Sequence, residues 1–560
     1  MKSRAEFLSL AEESQFYILK FLPYRDILRC TLVCRSLRQV YISYSELQYI
    51  VELGGQQLLH VPDTDPSNRT SISQRLKLLR DRPHAWLKFG VQPCAKISIP
   101  EQFHDGDQSG WVANGHLCLW NSKQGLVMVS PILPKASQQT IKRDPSTRPL
   151  YSNPNAHIFD VFMDPAQNLI AIAYVITDDH LESGNAMFCI EIEALDGSGI
   201  HPRAAGQTLS LFELPGYEQP AEVGSNHLKL KGLGRHIAFK CWRSPQNDGP
   251  WYEYTSDLWV LQIWDWQRST TSSCVLIVDD ADPAYDGATD FCFLGNDRLL
   301  IFDEKLKLYS IENMSQAPQF LACFLVPITT FTIGCTECAL PMDGSTQPQM
   351  QTEQTMWTSD PKNQLLKLRF DIFRPPSLDR SIPFDSIFIF IISTRIFFNT
   401  GFSGDMKVGI PWKEWGPSNS RAFRMNSSCV GVSGNRVLLA SSANVYGAEH
   451  ELQVMDFSPL AVERRKGLGR VVKGPSTLEI SKPKSGEEAT FTTNLPYVKV
   501  VLNKTFGGVP ICRIWIEQDR IYICGKYRHR FKLEVIEITS RAAEAAEITQ
   551  ADLEAINQSL

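Results

Sequence analysis

Residues 10–38 read LAEESQFYILKFLPYRDILRCTLVCRSLR. Phe16, Ile18, Leu19, Phe21, Leu22, Ile27, Leu28, Leu32, Val33 and Leu37 crowd this stretch. Pro23 splits it, because proline cannot continue a helix interior and biases Leu22 away from the helical region. The stretch therefore reads as short helices joined at a fixed bend. A unit so small buries too little of its own surface to be stable comfortably alone. Part of its apolar surface is expected to be covered by another protein.

The same residues resemble the F-box, the adaptor-binding module of SCF-type ubiquitin ligases. Leu10, Glu13, Ile18, Leu19, Phe21, Leu22 and Pro23 match the family's first helix. Arg25, Asp26, Ile27, Leu28, Arg29 and Cys30 match the second, and Val33, Cys34 and Arg35 the start of the third. Ala11 stands where the family usually has proline and Leu37 where it often has tryptophan. Further segments, LQYIVELGG (Leu47 to Gly55), RLKLLRDRPHAWLKF (Arg75 to Phe89) and PWKEWGPSNSRAF (Pro411 to Phe423), are similar to a large fungal, mushroom-type family of F-box proteins with a β-rich C-terminal region.

The rest of the chain is organised differently. Residues 1–55 read as the helical module with an extension stopped by Gly54 and Gly55, and residues 56–90 as a helical linker. In the linker Ser71 or Ser73 is a plausible N-cap, Pro83 marks a stop or kink, and Arg75, Lys77, Arg80, Arg82 and Lys88 read as a solvated face. From about residue 91 the hydrophobic period changes from helical to alternating. Runs such as NLIAIAYVI, RHIAFKCW and RIYICGKY follow turn residues, starting near residues 115, 168, 235, 297, 435 and 519. One more unit is expected in the wide gap, built from LLKLRFDIF and SIFIFIIST. A small antiparallel sheet recurring about every sixty residues implies a β-propeller of about six or seven blades over 91–540. A pair of β-sandwiches is the rival, and 541–560 reads as a tail with helix-forming residues. The fold class is thus multidomain, α plus all-β. Insertions near 131–156, 243–255, 341–362, 400–421 and 458–489 read as surface loops.

Composition narrows the function classes. A formal net charge of −5 gives nucleic-acid binding no electrostatic support. The apolar run Ile387 to Phe398 contains Arg395 and falls well short of the ~20 residues that span a bilayer; a buried strand bending near Ser393 is expected, in a soluble chain with no membrane partner. Fourteen scattered cysteines suit small buried thiols in a reducing compartment, the cytoplasm or nucleus. There is no G-x-S-x-G elbow, P-loop or H-E-x-x-H motif. No catalytic residue, metal site or cofactor is expected.

The resemblance implies a non-catalytic receptor: a Skp-type adaptor bound through the helical module, cullin and RING reached through that adaptor, and an unknown protein substrate bound elsewhere. The adaptor contact is expected at Leu10, Ala11, Ile18, Leu19, Leu22, Pro23, Leu28, Val33, Cys34 and Leu37. Substrate residues are expected on propeller loops, where clustered aromatics are typical of interface hot spots. Candidates are Trp251, Tyr252 and Tyr254 in one insertion and Trp412 and Trp415 in another. These rings could instead close gaps between blades, the preferred reading for Trp412 and Trp415. A non-degradative scaffold, and a propeller enzyme with a dispersed active site, are the alternative functions.

Overall fold

The computed structural model describes residues 7–61, 70–88, 91–103, 109–132, 151–152, 156–176, 187–213, 228–243, 258–279, 289–302, 305–327, 333–339, 356–373, 385–399, 409–425, 428–442, 450–463, 469–481, 488–506, 510–517, 519–527 and 530–538.

Four helices form the head: α1 (Glu12–Lys20), α2 (Tyr24–Val33), α3 (Arg35–Ser43) and α4 (Ser45–Gln56). Pro23 sits at the N-cap of α2 with φ −55° and ψ 147°, and Cys34, extended at φ −154°, separates α2 from α3. Leu19, Ile27, Val40, Leu47 and Val51 are the sealed centre of this bundle. Gly54 and Gly55 do not stop α4, which runs through both. They serve close approach instead: a Cβ on Gly54 would stand 2.4 Å from Tyr24 Cδ1, and one on Gly55 3.1 Å from Leu460 Cβ.

The next helix, α5 (Ile72–Lys88), opens on a capping box. Gln74 N donates to Ser71 Oγ, while Ser71 N donates to Gln74 Oε1 at 3.1 Å. Pro83 lies inside the helix without ending it. A proline there leaves the carbonyl of Leu79 without its helical N–H, and Gln56 Nε2 fills the vacancy at 2.8 Å. The solvated-face reading of the basic residues holds for Lys77 and Lys88, which are exposed, and needs correction for the three arginines. Arg75 is buried with Nε on Thr70 O, Arg80 pairs with Glu52 at 3.5 Å, and Arg82 pairs with Asp519 at 3.2 Å.

The remaining strands build seven antiparallel sheets around a ring, which excludes the β-sandwich pair. The innermost strands of blades 1 to 7 are Ser109–Ala113, Ala156–Asp164, Lys229–Leu233, Asp290–Phe293, Ile333–Ala339, Ser428–Ser433 and Ile511–Glu517. The ring closes with strands from both ends of the domain. Val91–Ser98 is the outermost strand of blade 7, with Val91 opposite Ile538 and Ser98 opposite Lys532. The expected seventh unit is blade 5, whose middle strands are Leu365–Phe373 and Asp385–Ser393. The latter gives way at Ser393 to a 3-10 turn, Thr394–Phe398.

Two insertions are more than loops. Residues 400–421 contain α6 (Trp412–Asn419), and residues 458–489 contain α7 (Pro459–Glu463) and a hairpin strand, Ser476–Ser481, whose partner is Glu488–Thr493. Among the described residues no helix is long and apolar enough to cross a membrane. The tail 541–560 lies outside the described residues.

Head and propeller meet over a built junction. Trp86 and Ala85 of α5 share one core with Leu438, Leu452, Ile514, Ile521 and Ile536 of blades 6 and 7. The Arg436 guanidinium stacks 5.1 Å from the Trp86 ring. Leu58–His60 pairs with Trp357–Ser359, a strand inserted into blade 5. Asn435 Nδ2 donates to Gln56 O at 3.3 Å.

Candidate functional site

The helical period divides the head's apolar residues between two faces. Leu19, one turn after the buried Gln15, points inward at 1 % exposure, and Leu37, one turn before Val40, at 5 %. Both belong to the head's own interior and offer no surface to an adaptor in this arrangement, which corrects their place among the expected contacts. Leu22 and Leu28 are half-buried against the same centre. Leu10 and Cys34 are half-buried, while Ala11, Ile18, Pro23 and Val33 are exposed.

The outer face carries more apolar surface than the motif match indicated. Phe21 is 83 % exposed, Leu32 77 % and Val33 75 %, with Tyr17, Ile18 and Ile42 also outward. Phe21, Leu32, Tyr17 and Ile42 were missing from the expected contacts. The signal that could have found two of them is helix phase: Tyr17 on α1, and Phe21 just past its end, fall opposite the buried Gln15 and Leu19, whereas Ile18 flanks the buried side. Tyr17 leans its ring on Phe16 at 5.4 Å and stays 61 % exposed.

At the propeller, topology sorts the connections. The first three strands of each blade form an antiparallel meander, so the turns after first strands fall on one face and those after second strands on the other. The head docks on the first of these faces, against the turns at Asn435 and Asp519. Trp251, Tyr252 and Tyr254 lie outside the described residues. The strands that flank them, His236–Arg243 and Leu258–Asp265, end and begin at the face away from the head.

Trp412 and Trp415 are packing residues. Trp415 is 0 % exposed, donates Nε1 to Leu325 O at 3.1 Å, and meets the Trp412 ring at 4.7 Å. Trp412 reaches Phe390 of blade 5 and Phe491 of the inserted hairpin. The pair wedges blades 4 and 5 together, closing a gap as the preferred reading expected instead of offering substrate contacts: the Trp415 ring is fully covered, and the half-buried Trp412 ring is held by Phe390 and Phe491.

A group of strongly perturbed charges sits between blades 2, 3 and 4. Lys229 and Lys231 hold Asp290 at 3.1 and 2.8 Å. Lys240 Nζ donates to Thr289 O at 2.6 Å, and burial pulls its ammonium down to about 8. Burial pushes Asp160 up to about 6 although Leu230 N donates to it at 2.8 Å. This seam joins blades; the described residues hold no cluster of metal-ligating groups.

No curated protein matches the chain. Similar solved structures include two of prolyl oligopeptidase B from Galerina marginata, one bound to a 35mer hydrolysis and macrocyclization substrate and one to a 25mer macrocyclization substrate. Each is 9% identical and covers 78% of this chain, with TM-scores of 0.26 and 0.27. This chain spans 64% of the length of each. A likeness at that TM-score carries no argument about activity. The helical head is different, because residues 7–40 match the F-box domain: the chain carries an N-terminal F-box followed by a seven-bladed β-propeller.

Proposed function

We propose that this chain is the substrate-recognition subunit of an SCF-type ubiquitin ligase, of the fungal F-box family its sequence resembles, working in the cytoplasm or nucleus. The observation that carries the proposal is the uncovered apolar face of the F-box. Burying Tyr17, Ile18, Phe21, Leu32 and Val33 under a Skp-type adaptor would contribute roughly 7–15 kcal/mol before association costs. Leu10, Ala11, Leu22, Pro23, Leu28 and Cys34 border that face.

The receptor does no chemistry itself. It holds a protein substrate on the propeller face away from the F-box, where the connection bearing Trp251, Tyr252 and Tyr254 begins and ends. The junction at Trp86 and Arg436 fixes that face relative to the adaptor. Ubiquitin transfer by the cullin–RING assembly then gains from the high effective concentration of a tethered lysine.

Co-purification tests this reading. The full chain should capture a Skp-type adaptor. Phe21→Asp combined with Leu32→Asp should remove capture, since covering an unpaired carboxylate costs more than the methyl groups it replaces, while the thermal midpoint stays within a few degrees. Undiminished capture by the double variant sinks the assigned face. Capture without any change in substrate half-life in cells lacking the protein would identify a non-degradative scaffold.

A further inference from the structure

Blade 7 carries two cysteines on adjacent strands at a slip in register. Ile511 lies opposite Gly525 and Arg513 opposite Cys524, so Cys512 is the extra residue of a β-bulge. Its Sγ leans across the ladder, donating to Cys524 O at 3.2 Å. Directly opposed strand residues hold their Cβ atoms about 4.5–5.5 Å apart, and a disulfide needs about 3.5–4.5 Å. A bulge is the local irregularity that lets a strand close such a difference.

Access and electrostatics favour the same pair. Both cysteines line a cavity of about 200 Å³ at the seam between blades 7 and 1, beside Arg513, Lys526 and Trp515. Among the described cysteines Cys512 is exposed, whereas Cys524 is buried. The neighbouring Cys524 thiol, helped by Arg513 and Lys526, holds Cys512 below the ordinary thiol range, with burial opposing. Such surroundings mark reactive thiols. A third sulfur competes. Cys429, half-buried on the innermost strand of blade 6, donates to Ile511 O at 3.5 Å, and burial pushes it up to about 11.

We propose that Cys512 and Cys524 form a reversible thiol–disulfide site, with Cys512 meeting a small peroxide in the cavity and Cys524 resolving it. The Cys512 thiolate attacks one peroxide oxygen, the O–O bond breaks, and the departing hydroxide takes up the thiol proton as water. Cys512 is left as a sulfenic acid. The Cys524 sulfur then attacks Cys512 Sγ, the S–O bond breaks, and the sulfenic oxygen leaves with the Cys524 proton as a second water. Two thiols supply the two electrons that reduce one peroxide. The assignment stands independently of the ligase reading.

The test uses the full reduced chain, hydrogen peroxide, alkylation of the remaining thiols and non-reducing tryptic mapping. Cys512, Cys524 and Cys429 fall in separate peptides, 505–513, 521–526 and 425–436. The expected product links the first two and returns to thiols with dithiothreitol. Cys512 should be consumed about tenfold faster than the buried Cys118 or Cys274. In Cys524→Ser, dimedone should trap a sulfenic acid on Cys512. A link from Cys512 to Cys429, or Cys512 reacting no faster than Cys118, overturns the proposal, and both are read on the unmutated protein.

Discussion

The propeller and the F-box treat large apolar side chains in opposite ways. In the propeller Trp259, Trp264, Trp266 and Trp415 are closed off from solvent between blades. In the F-box Phe21, Leu32 and Val33 stand in water while only a handful of residues are sealed. A ring of blades gives each apolar face a neighbour, so the domain can satisfy itself. Four short helices cannot do so, and what they leave uncovered is the part available to a partner. The junction obeys the propeller's rule: Trp86, in sequence a linker residue, is as buried as any blade tryptophan.

The largest effect that could break this comparison comes from the chain's starting point. A fragment beginning at residue 91 would lose Ala85 and Trp86 from the core of blades 6 and 7, and Arg82 from Asp519. Loss of a buried tryptophan alone costs about 3–5 kcal/mol, and Arg436 would be left beside an empty slot. A fragment beginning at residue 71 keeps those contacts. The longer fragment should melt several degrees above the shorter one by β-sheet circular dichroism. Equal midpoints would show that α5 is a spacer after all.

A single substitution gives the next effect. Trp415→Ala should destabilise the propeller by about 3–5 kcal/mol, through a cavity between blades 4 and 5 and an orphaned Leu325 carbonyl. Adaptor capture by the F-box should be unchanged below the melting range. A Trp415 variant of normal midpoint would contradict the wedge, and one that lost adaptor while folded would contradict the separation of the two regions.

How much was legible follows from which constraints are local. The turn residues at Gly234, Gly295 and Gly434 take positive φ, so they signalled blades directly; each marked the start of a second strand. Blade 5 was inferred from its apolar middle strands alone, because residues 340–364 separate its first strand from its second. The role of Gln56 was not legible, since the carbonyl it serves, on Leu79, is freed by a proline in another helix. Nor was the inward turn of Leu19 and Leu37: a motif match fixes residue types, whereas facing depends on the phase of each helix against its neighbours.

The smallest effect separates propeller charges from the F-box by pH. His236 is 1 % exposed, and among the described residues neither ring nitrogen has a hydrogen-bond partner. Burial, with Arg235 nearby, lowers it from 6.5 to about 4. Its folded form therefore refuses a proton that the unfolded chain accepts, so stability is lost as pH falls below 6.5 and levels off near 4. Between pH 7 and 5.5 this amounts to about 1 kcal/mol. Asp160, raised from 3.8 to about 6, has the opposite sign: the folded state binds the extra proton, and stability is gained as pH falls through 6. The two offset each other in the native chain, so the variants reveal what the native profile hides. His236→Phe should make the propeller midpoint rise, relative to native, on going from pH 7 to 5.5, and Asp160→Asn should make it fall. Thermal melts of the propeller-containing fragment at the two pH values decide the matter; parallel profiles for all three proteins would show that neither group titrates where its burial places it.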